Sequence, residues 1–327
     1  MSEKIQSLKN AEWLARLSEA RGGLSNSLYA MYSGLTGGIT TDPALMTIPA
    51  DDHLPQRGDG VFESLKCLNG QLYNANAHLA RLELSCKGIG MKLPYPRAAL
   101  LGMVCATIRA GGKRDCLIRV LVSRGTENMG IDPALCKGPV IYLIVYRYTA
   151  RIENGKLKPA RVALSAVPIK PPHLATIKTC NYLPNVLMKL EANQRGFDFV
   201  ISVDTNGNLG EGATENIGIL TRDNELLMPT PEQVLSGTTA RRALELASVL
   251  VADGTLKAAE YRDITPAQAA QAKEIFIFGT TTDVTPVIEW EGLPVGSSKP
   301  GPIAEKLLAL LKADMTPESE ALIEVFN

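Results

Sequence analysis

Lys178 is the residue in this chain best placed to react. It stands in ATIKTCNYLPN, after an apolar loop and just before a helix, with no acidic residue nearby in sequence to pair with it. A lysine desolvated in this way has its charged form disfavoured, so its pKa falls and its amine becomes a nucleophile. Glu211, in NLGEGATENI, is reached from Lys178 by one helix and one hairpin, a path that lets the two groups meet on one face of a sheet. Gly237-Thr238-Thr239 opens a helix and Gly279-Thr280-Thr281 follows a β-rich run, so both turns offer backbone N–H groups and hydroxyls to a phosphate or carboxylate. Arg81 can add the bidentate fork that such an anion favours. Each of these residue types, taken alone, is more often a solvated surface group or a helix cap. Their joint occurrence in one order is what carries weight.

The elements that must position them are legible in outline. Asn69-Gly70 in GDGVFESLKCLNGQLYN is a strong hairpin signal, with a strand over 61–68 returning over 71–74. Period two puts Phe62, Ser64 and Lys66 on one face of that strand and Glu63, Leu65 and Cys67 on the other. A helix is expected over 77–87 with Asn76 as N-cap and Gly88 at its end, and another over 97–110. Strands follow over 116–124 and 139–147. In the second half, a strand at 162–166 and a Pro-rich loop lead to a helix over 182–195 with Leu183, Val186, Leu187 and Leu190 on one face. A strand over 197–203, a turn at Asn206-Gly207, and the return carrying Glu211 come next. The chain closes on a helix with Pro302 at its first position. Residues 3–20 read as an appended amphipathic helix using Ile5, Leu8, Leu14 and Leu17.

Length and composition narrow the function class. The 327 residues exceed what one core usually organises, so two domains are expected. The assignment is a helical extension over 1–30, a small α+β domain over 31–148, a linker over 149–158 and a large domain over 159–327. The 34 Lys+Arg balance 34 Asp+Glu, which leaves no general attraction to nucleic acid or an anionic membrane. A small-molecule enzyme fits better. The six cysteines form no CxxC pair and have no histidine spacing for zinc, so no metal is expected. Scattered thiols, a charged N-terminus and the lack of any long apolar run predict a cytoplasmic protein without a membrane span. His53, His78 and His173 are dispersed and read as structural, and Trp290 as packing.

A carboxylate at Glu211 could hold a pyridine nitrogen protonated, the usual protein partner of a pyridoxal ring used as an electron sink. The ordered blocks GDGVFESLKCLNGQLYNANAHLARL, IKTCNYLPNVLMKLEANQRGFD, GNLGEGATENI, LSGTTARRAL and FGTTTDVTPV resemble the class IV (fold type IV) pyridoxal-phosphate aminotransferases. They run from about residue 55 to residue 292. The resemblance implies two α+β domains with pyridoxal 5′-phosphate in the cleft between them, in a homodimer whose partner lends a loop to the pocket. It implies that Lys178 carries the cofactor covalently and that Glu211 partners the ring nitrogen. Tyr182 is similar to the family's tyrosine that hydrogen-bonds the cofactor's phenolic oxygen. Arg81, Thr238, Thr239 and Thr280 resemble the phosphate cup, and Thr280 with Thr281 the turn that receives the substrate carboxylate.

Substrate choice is divided by the same resemblance. Phe62, Ser64 and Lys66 sit where the family places a substrate-pocket triplet, the aromatic suiting branched-chain enzymes and the lysine D-amino-acid members. Met129 and Ile131, in SRGTENMGIDP, stand where D-alanine aminotransferases carry a basic clamp. The expected activity is therefore ping-pong transamination from an apolar, branched-chain-like amino acid to a 2-oxo acid. A D-amino-acid or (R)-amine aminotransferase, a lyase resembling aminodeoxychorismate lyase, and a non-catalytic binding protein on the same fold are the alternatives. Retention of Lys178, Glu211, Tyr182 and Arg81 together argues against the last.

Overall fold

The computed structural model describes residues 5–153, 156–316 and 319–326. Its strands form two large sheets. The first holds β1 (Leu28–Ser33), β2 (Gly38–Thr40), β3 (Gly60–Leu68), β4 (Gln71–Tyr73), β5 (Cys116–Ser123) and β6 (Val140–Arg147). A two-stranded hairpin, β7 (Ile152–Glu153) and β8 (Lys156–Leu157), follows within the expected linker. The second sheet holds β9 (Ala160–Leu164), β10 (Phe199–Ile201), β11 (Asn216–Leu220), β12 (Glu225–Met228), β13 (Ala258–Tyr261), β14 (Glu274–Gly279), β15 (Asp283–Trp290) and β16 (Leu293–Pro294). β17 (Leu322–Glu324) then crosses back to pair with β4, so the C-terminal strand belongs to the first sheet although the sequence places it with the second half.

The first sheet has the order β17-β4-β3-β5-β6-β1-β2 and is antiparallel throughout. The second runs β10-β9-β15-β14-β11-β12-β13 and is mixed, β9 lying parallel to both its neighbours. The β3–β4 hairpin turns at Asn69 (φ 53°) and Gly70 (φ 84°), two left-handed residues whose twist matches that of the strands they join.

β3 is covered on both faces, which is what makes it the strand that carries the site. From one face, Val61, Leu65 and Cys67 join Ile118, Val120 and Leu143 against the helices Ala75–Gly88 and Arg97–Gly111. Each aliphatic side chain withdrawn there from water contributes about 1.5–3 kcal/mol. Phe62, on the other face, packs with Met31, Leu121 and Tyr142. Period two thus separates the strand's residues as the sequence predicts. In the second sheet, Phe276, Phe278 and Val284 face the helices Thr238–Leu246 and Pro302–Ala313, and Trp290 is buried in the core on the opposite side.

Several local expectations need correction. The first helix is Asn10–Arg21 and none of its residues is buried, so its apolar residues have no core to face; residues 1–4 lie outside the described chain. The next long helix starts at Ala75, with Asn74 (φ 55°) as N-cap and Asn76 already inside the first turn. The helix Leu183–Arg195 buries Asn185, Met188 and Ala192, while Leu183, Val186, Leu187 and Leu190 are exposed. Periodicity identifies the helix, but the face that packs on the sheet is the one with small and adaptable side chains. Glu211 lies in an irregular segment between Leu209, bridged to Val203, and β11, and not in a strand.

Candidate active site

A cavity of about 310 Å³ lies where the two sheets meet. Its floor depends on a short splice of the lysine loop onto β3. Phe62 N donates to Lys178 O at 3.0 Å and Cys180 N to Gly60 O at 2.8 Å, so residues 178–180 run as an extra bridge beside the start of β3. Lys178 Nζ is thereby held 4.8 Å from the centre of the Phe62 ring and donates to Tyr182 Oη at 3.3 Å. Tyr182 is the N-cap of the helix that follows, edge-on to Phe62 with ring centres 5.0 Å apart. Burial pushes the Lys178 amine down to about 8, with the Arg81 charge acting in the same direction and Glu63 and Glu211 opposing it. Burial likewise pushes the Tyr182 phenol up.

Glu211 is buried on a second, small cavity that it shares with Lys178 and Tyr182. One of its oxygens accepts from Leu235 N at 3.1 Å. Burial raises its pKa against the charges of Lys170, Lys178 and Arg81. Lys170 stands over the Tyr182 ring at 5.4 Å. The result is a carboxylate of raised basicity, kept among cations and shielded from water.

The opposite wall presents groups suited to an anion. Thr238 and Thr239 are the first residues of the helix Thr238–Leu246 and both are buried at the cavity. A Cβ on Gly237 would collide with Asn216 Oδ1, so a larger residue there would displace the Asn216 side chain that lines the cavity. Arg81 spends three of its N–H groups inside the protein, with Nε on Glu63 Oε1 at 2.7 Å, Nη2 on Glu63 Oε2 at 2.8 Å and Nη1 on Ser236 O at 2.8 Å. This leaves the outer edge of the guanidinium for the cavity, which it lines. Thr280 and Thr281, in the turn between β14 and β15, complete the rim.

The structure therefore brings together Lys178, Tyr182, Arg81, Thr238, Thr239, Thr280, Thr281, Phe62 and Ser64, with Glu211 adjoining. Three residues named from the sequence stand apart. Lys66 is fully buried, ion-paired with Asp283 and 5.8 Å from the centre of the Tyr148 ring, so its charge faces Asp283 and not the cavity. Asp283 begins β15 with φ 50°, directly after the threonine turn. Met129 and Ile131 are 59% and 83% exposed and do not line the cavity of the single chain.

Sequence reasoning missed Arg119 and Tyr146. Arg119 lies opposite Ser64 in the β3–β5 register, 3.4 Å from Ser64 Oγ and 3.3 Å from Tyr146 Oη, with its guanidinium over Phe62 at 5.1 Å. The available signal was a lone arginine inside the apolar run CLIRVLVS. It also read His78 as structural, without its link to the cup: His78 lies 3.1 Å from Thr238 Oγ1. Among the described residues, no cluster of His, Cys, Asp or Glu could hold a metal ion and no helix is long and apolar enough to cross a membrane.

Residues 60–290 match the family described as amino-transferase class IV. The chain is 39% identical over 315 residues to a chloroplastic D-amino-acid transaminase of Arabidopsis thaliana, covering 96% of this chain and 83% of that protein. It is 29% identical over 256 residues to a putative branched-chain-amino-acid aminotransferase of Methanocaldococcus jannaschii, covering 78% and 87%. Among solved structures, the branched-chain amino acid aminotransferase of Escherichia coli superposes with a TM-score of 0.82 at 22% identity over 91% of this chain and 99% of that one. A T.th. branched-chain amino acid aminotransferase solved with pyridoxamine 5′-phosphate gives 0.82 at 24% identity, over the same shares.

Proposed function

This chain belongs to the class IV amino-transferase family, and from that premise we propose that it is a pyridoxal-phosphate transaminase in which Lys178 is the catalytic amine. The observation that carries the reading is the convergence on one cavity of a depressed lysine, a tyrosine hydroxyl and an anion cup, with a buried carboxylate adjoining. The donor set fits the cofactor group by group. The cup suits a phosphate monoester, Lys178 an aldehyde, Glu211 a ring N–H and Tyr182 a phenolic oxygen. When bound, pyridoxal phosphate supplies an aldehyde and an electron-withdrawing ring.

The chain's own groups do the rest. Lys178 Nζ, in its neutral form, would hold the group through its aldehyde carbon, and when an amino donor displaces it there the same amine would accept the proton from the substrate α-carbon. Tyr182 Oη, within hydrogen-bond reach of that amine, orients it. Glu211 would accept a hydrogen bond from the ring N–H. Arg81 and the helix N-terminus bind the phosphate equally before and during reaction, so they contribute to affinity and placement. Amino acid and 2-oxo acid then use the same site in turn, a ping-pong cycle.

Because the Lys178 amine titrates near 8, its neutral fraction climbs as pH rises through that value. Capture of pyridoxal phosphate by the cofactor-free protein should accelerate about tenfold between pH 7 and pH 9 and then level off. A rate still climbing steeply above pH 10 would mean an amine of ordinary basicity.

Arg119 and the Thr280–Thr281 turn are the carboxylate-binding groups of the cavity in this reading. Arg119→Ala should raise KM for amino acid and 2-oxo acid about 10- to 100-fold, the loss of a charge-assisted hydrogen bond, with cofactor affinity unchanged. Equal KM values in variant and wild type would move the carboxylate elsewhere.

For the donor, the D-amino-acid reading gains support from the Arabidopsis relative. The apolar L-donor reading keeps Phe62, but its loop residues Met129 and Ile131 are outside the single-chain cavity. A half-reaction panel separates them: D-alanine outpacing L-leucine supports the first, the reverse order the second. A homodimer accompanies both readings, supported by the exposed apolar side chains of Leu183, Val186, Leu187 and Leu190. Light scattering that gives a monomer at micromolar concentration would remove it.

A further inference from the structure

Behind the anion cup lies a buried relay whose hydrogen positions follow from one another. Glu63, 0% exposed on β3, receives both N–H groups of one Arg81 edge. Burial alone would raise this carboxyl, but the Arg81 charge and His78 hold it at about 2. It is an ionised acceptor with no hydrogen of its own. His78, three residues before Arg81 on the same helix and 2% exposed, places Nδ1 2.7 Å from Glu63 Oε2, so Nδ1 carries the hydrogen. Its Nε2 lies 3.1 Å from Thr238 Oγ1. Burial holds the imidazole pKa below its ordinary value, and a neutral ring protonated at Nδ1 has a bare Nε2. The Thr238 hydroxyl must then give its hydrogen to His78 and show the cavity a lone pair, the wrong polarity for an anion.

We propose that His78 is a positioning residue that couples uptake of one proton to occupancy of the cup by a phosphate monoester dianion. As the dianion settles against Thr238, a proton from solvent adds to His78 Nε2. That N–H donates to Thr238 Oγ1, and the freed hydroxyl hydrogen turns to the phosphate. No bond between heavy atoms changes. The groups facing His78 are Glu63 from β3, Thr238 from the helix N-terminus, Arg81 on its own helix and Lys178 from the loop. Burial and the two cations oppose the imidazolium while Glu63 favours it, and the added dianion shifts the balance toward the imidazolium. The sign follows: the bound state has the higher His78 pKa, so affinity falls as pH rises between the free and bound values, by up to tenfold per pH unit.

This inference rests on the phosphate reading of the cup, and its test uses pyridoxamine 5′-phosphate, whose amine cannot condense with Lys178. In protein labelled with 15N-histidine, where His78→Gln assigns the resonance among three histidines, Nε2 of His78 should move at pH 7.5 from the bare to the protonated position as the ligand saturates. Pyridoxamine without phosphate should leave it in place. The pH slope of affinity should lose one proton in His78→Gln, and Thr238→Ser, which keeps the hydroxyl, should retain it. Saturable binding with Nε2 still bare overturns the relay and leaves the cup standing. No phosphate-dependent binding at all overturns both.

Discussion

Lys178→Ala should abolish transamination, with a loss of about ten-thousandfold or more, because one side chain supplies both the nucleophile and the proton carrier. The fold should survive. Lys178 is anchored by its backbone, through Phe62 N and Ser85 Oγ, and its side chain makes one hydrogen bond, to Tyr182. Removing a partly desolvated amine relieves as much cost as it forfeits contact. Circular dichroism should therefore match wild type while turnover vanishes. Retained turnover at a tenth of the wild-type rate would place the catalytic amine elsewhere.

Glu211→Gln should leave the cofactor bound but slow proton abstraction by about 2–4 kcal/mol in the barrier, the scale of a preorganised contact to developing charge. The substitution keeps volume and an acceptor for Leu235 N, so the local backbone has no reason to move. What it removes is the charge that, in the proposed reading, would hold a ring proton in place. The effect should appear in the rate of the half-reaction and in kcat, with little change in KM. A wild-type half-reaction rate in the variant would assign the carboxylate a structural role.

The parts of this site that were legible in the sequence are those encoded locally. A lysine before a helix, a tyrosine four residues on, glycine-threonine turns and an Asn-Gly hairpin each announce themselves within a few residues, and their order identified the family. The parts that were not legible depend on partners far away along the chain. Lys66 finds Asp283, 217 positions later, and is withdrawn from the cavity. Arg119 finds Ser64 across 55 positions, a pairing fixed by the β3–β5 register, which no local signal states. The helix Leu183–Arg195 shows the same gap, since an apolar stripe marks a face without saying which face meets the sheet.

Withdrawal of Lys66 also changes what the triplet on β3 means. Phe62 and Ser64 reach the cavity, whereas the third residue reaches Asp283 beside the threonine turn. The lysine thus ties the first sheet to the second just where the turn enters the site. Its presence is no argument for either hand of substrate.

The central claim is that Lys178 holds the cofactor. Reduction of the pyridoxal-phosphate-loaded protein with borohydride, followed by digestion and peptide mapping, tests it most directly, since reduction fixes a pyridoxyl group on whichever amine bears it. The account predicts a single stoichiometric adduct on Lys178, absent after prior treatment with an amino donor. An adduct on any other lysine, or none, would contradict it.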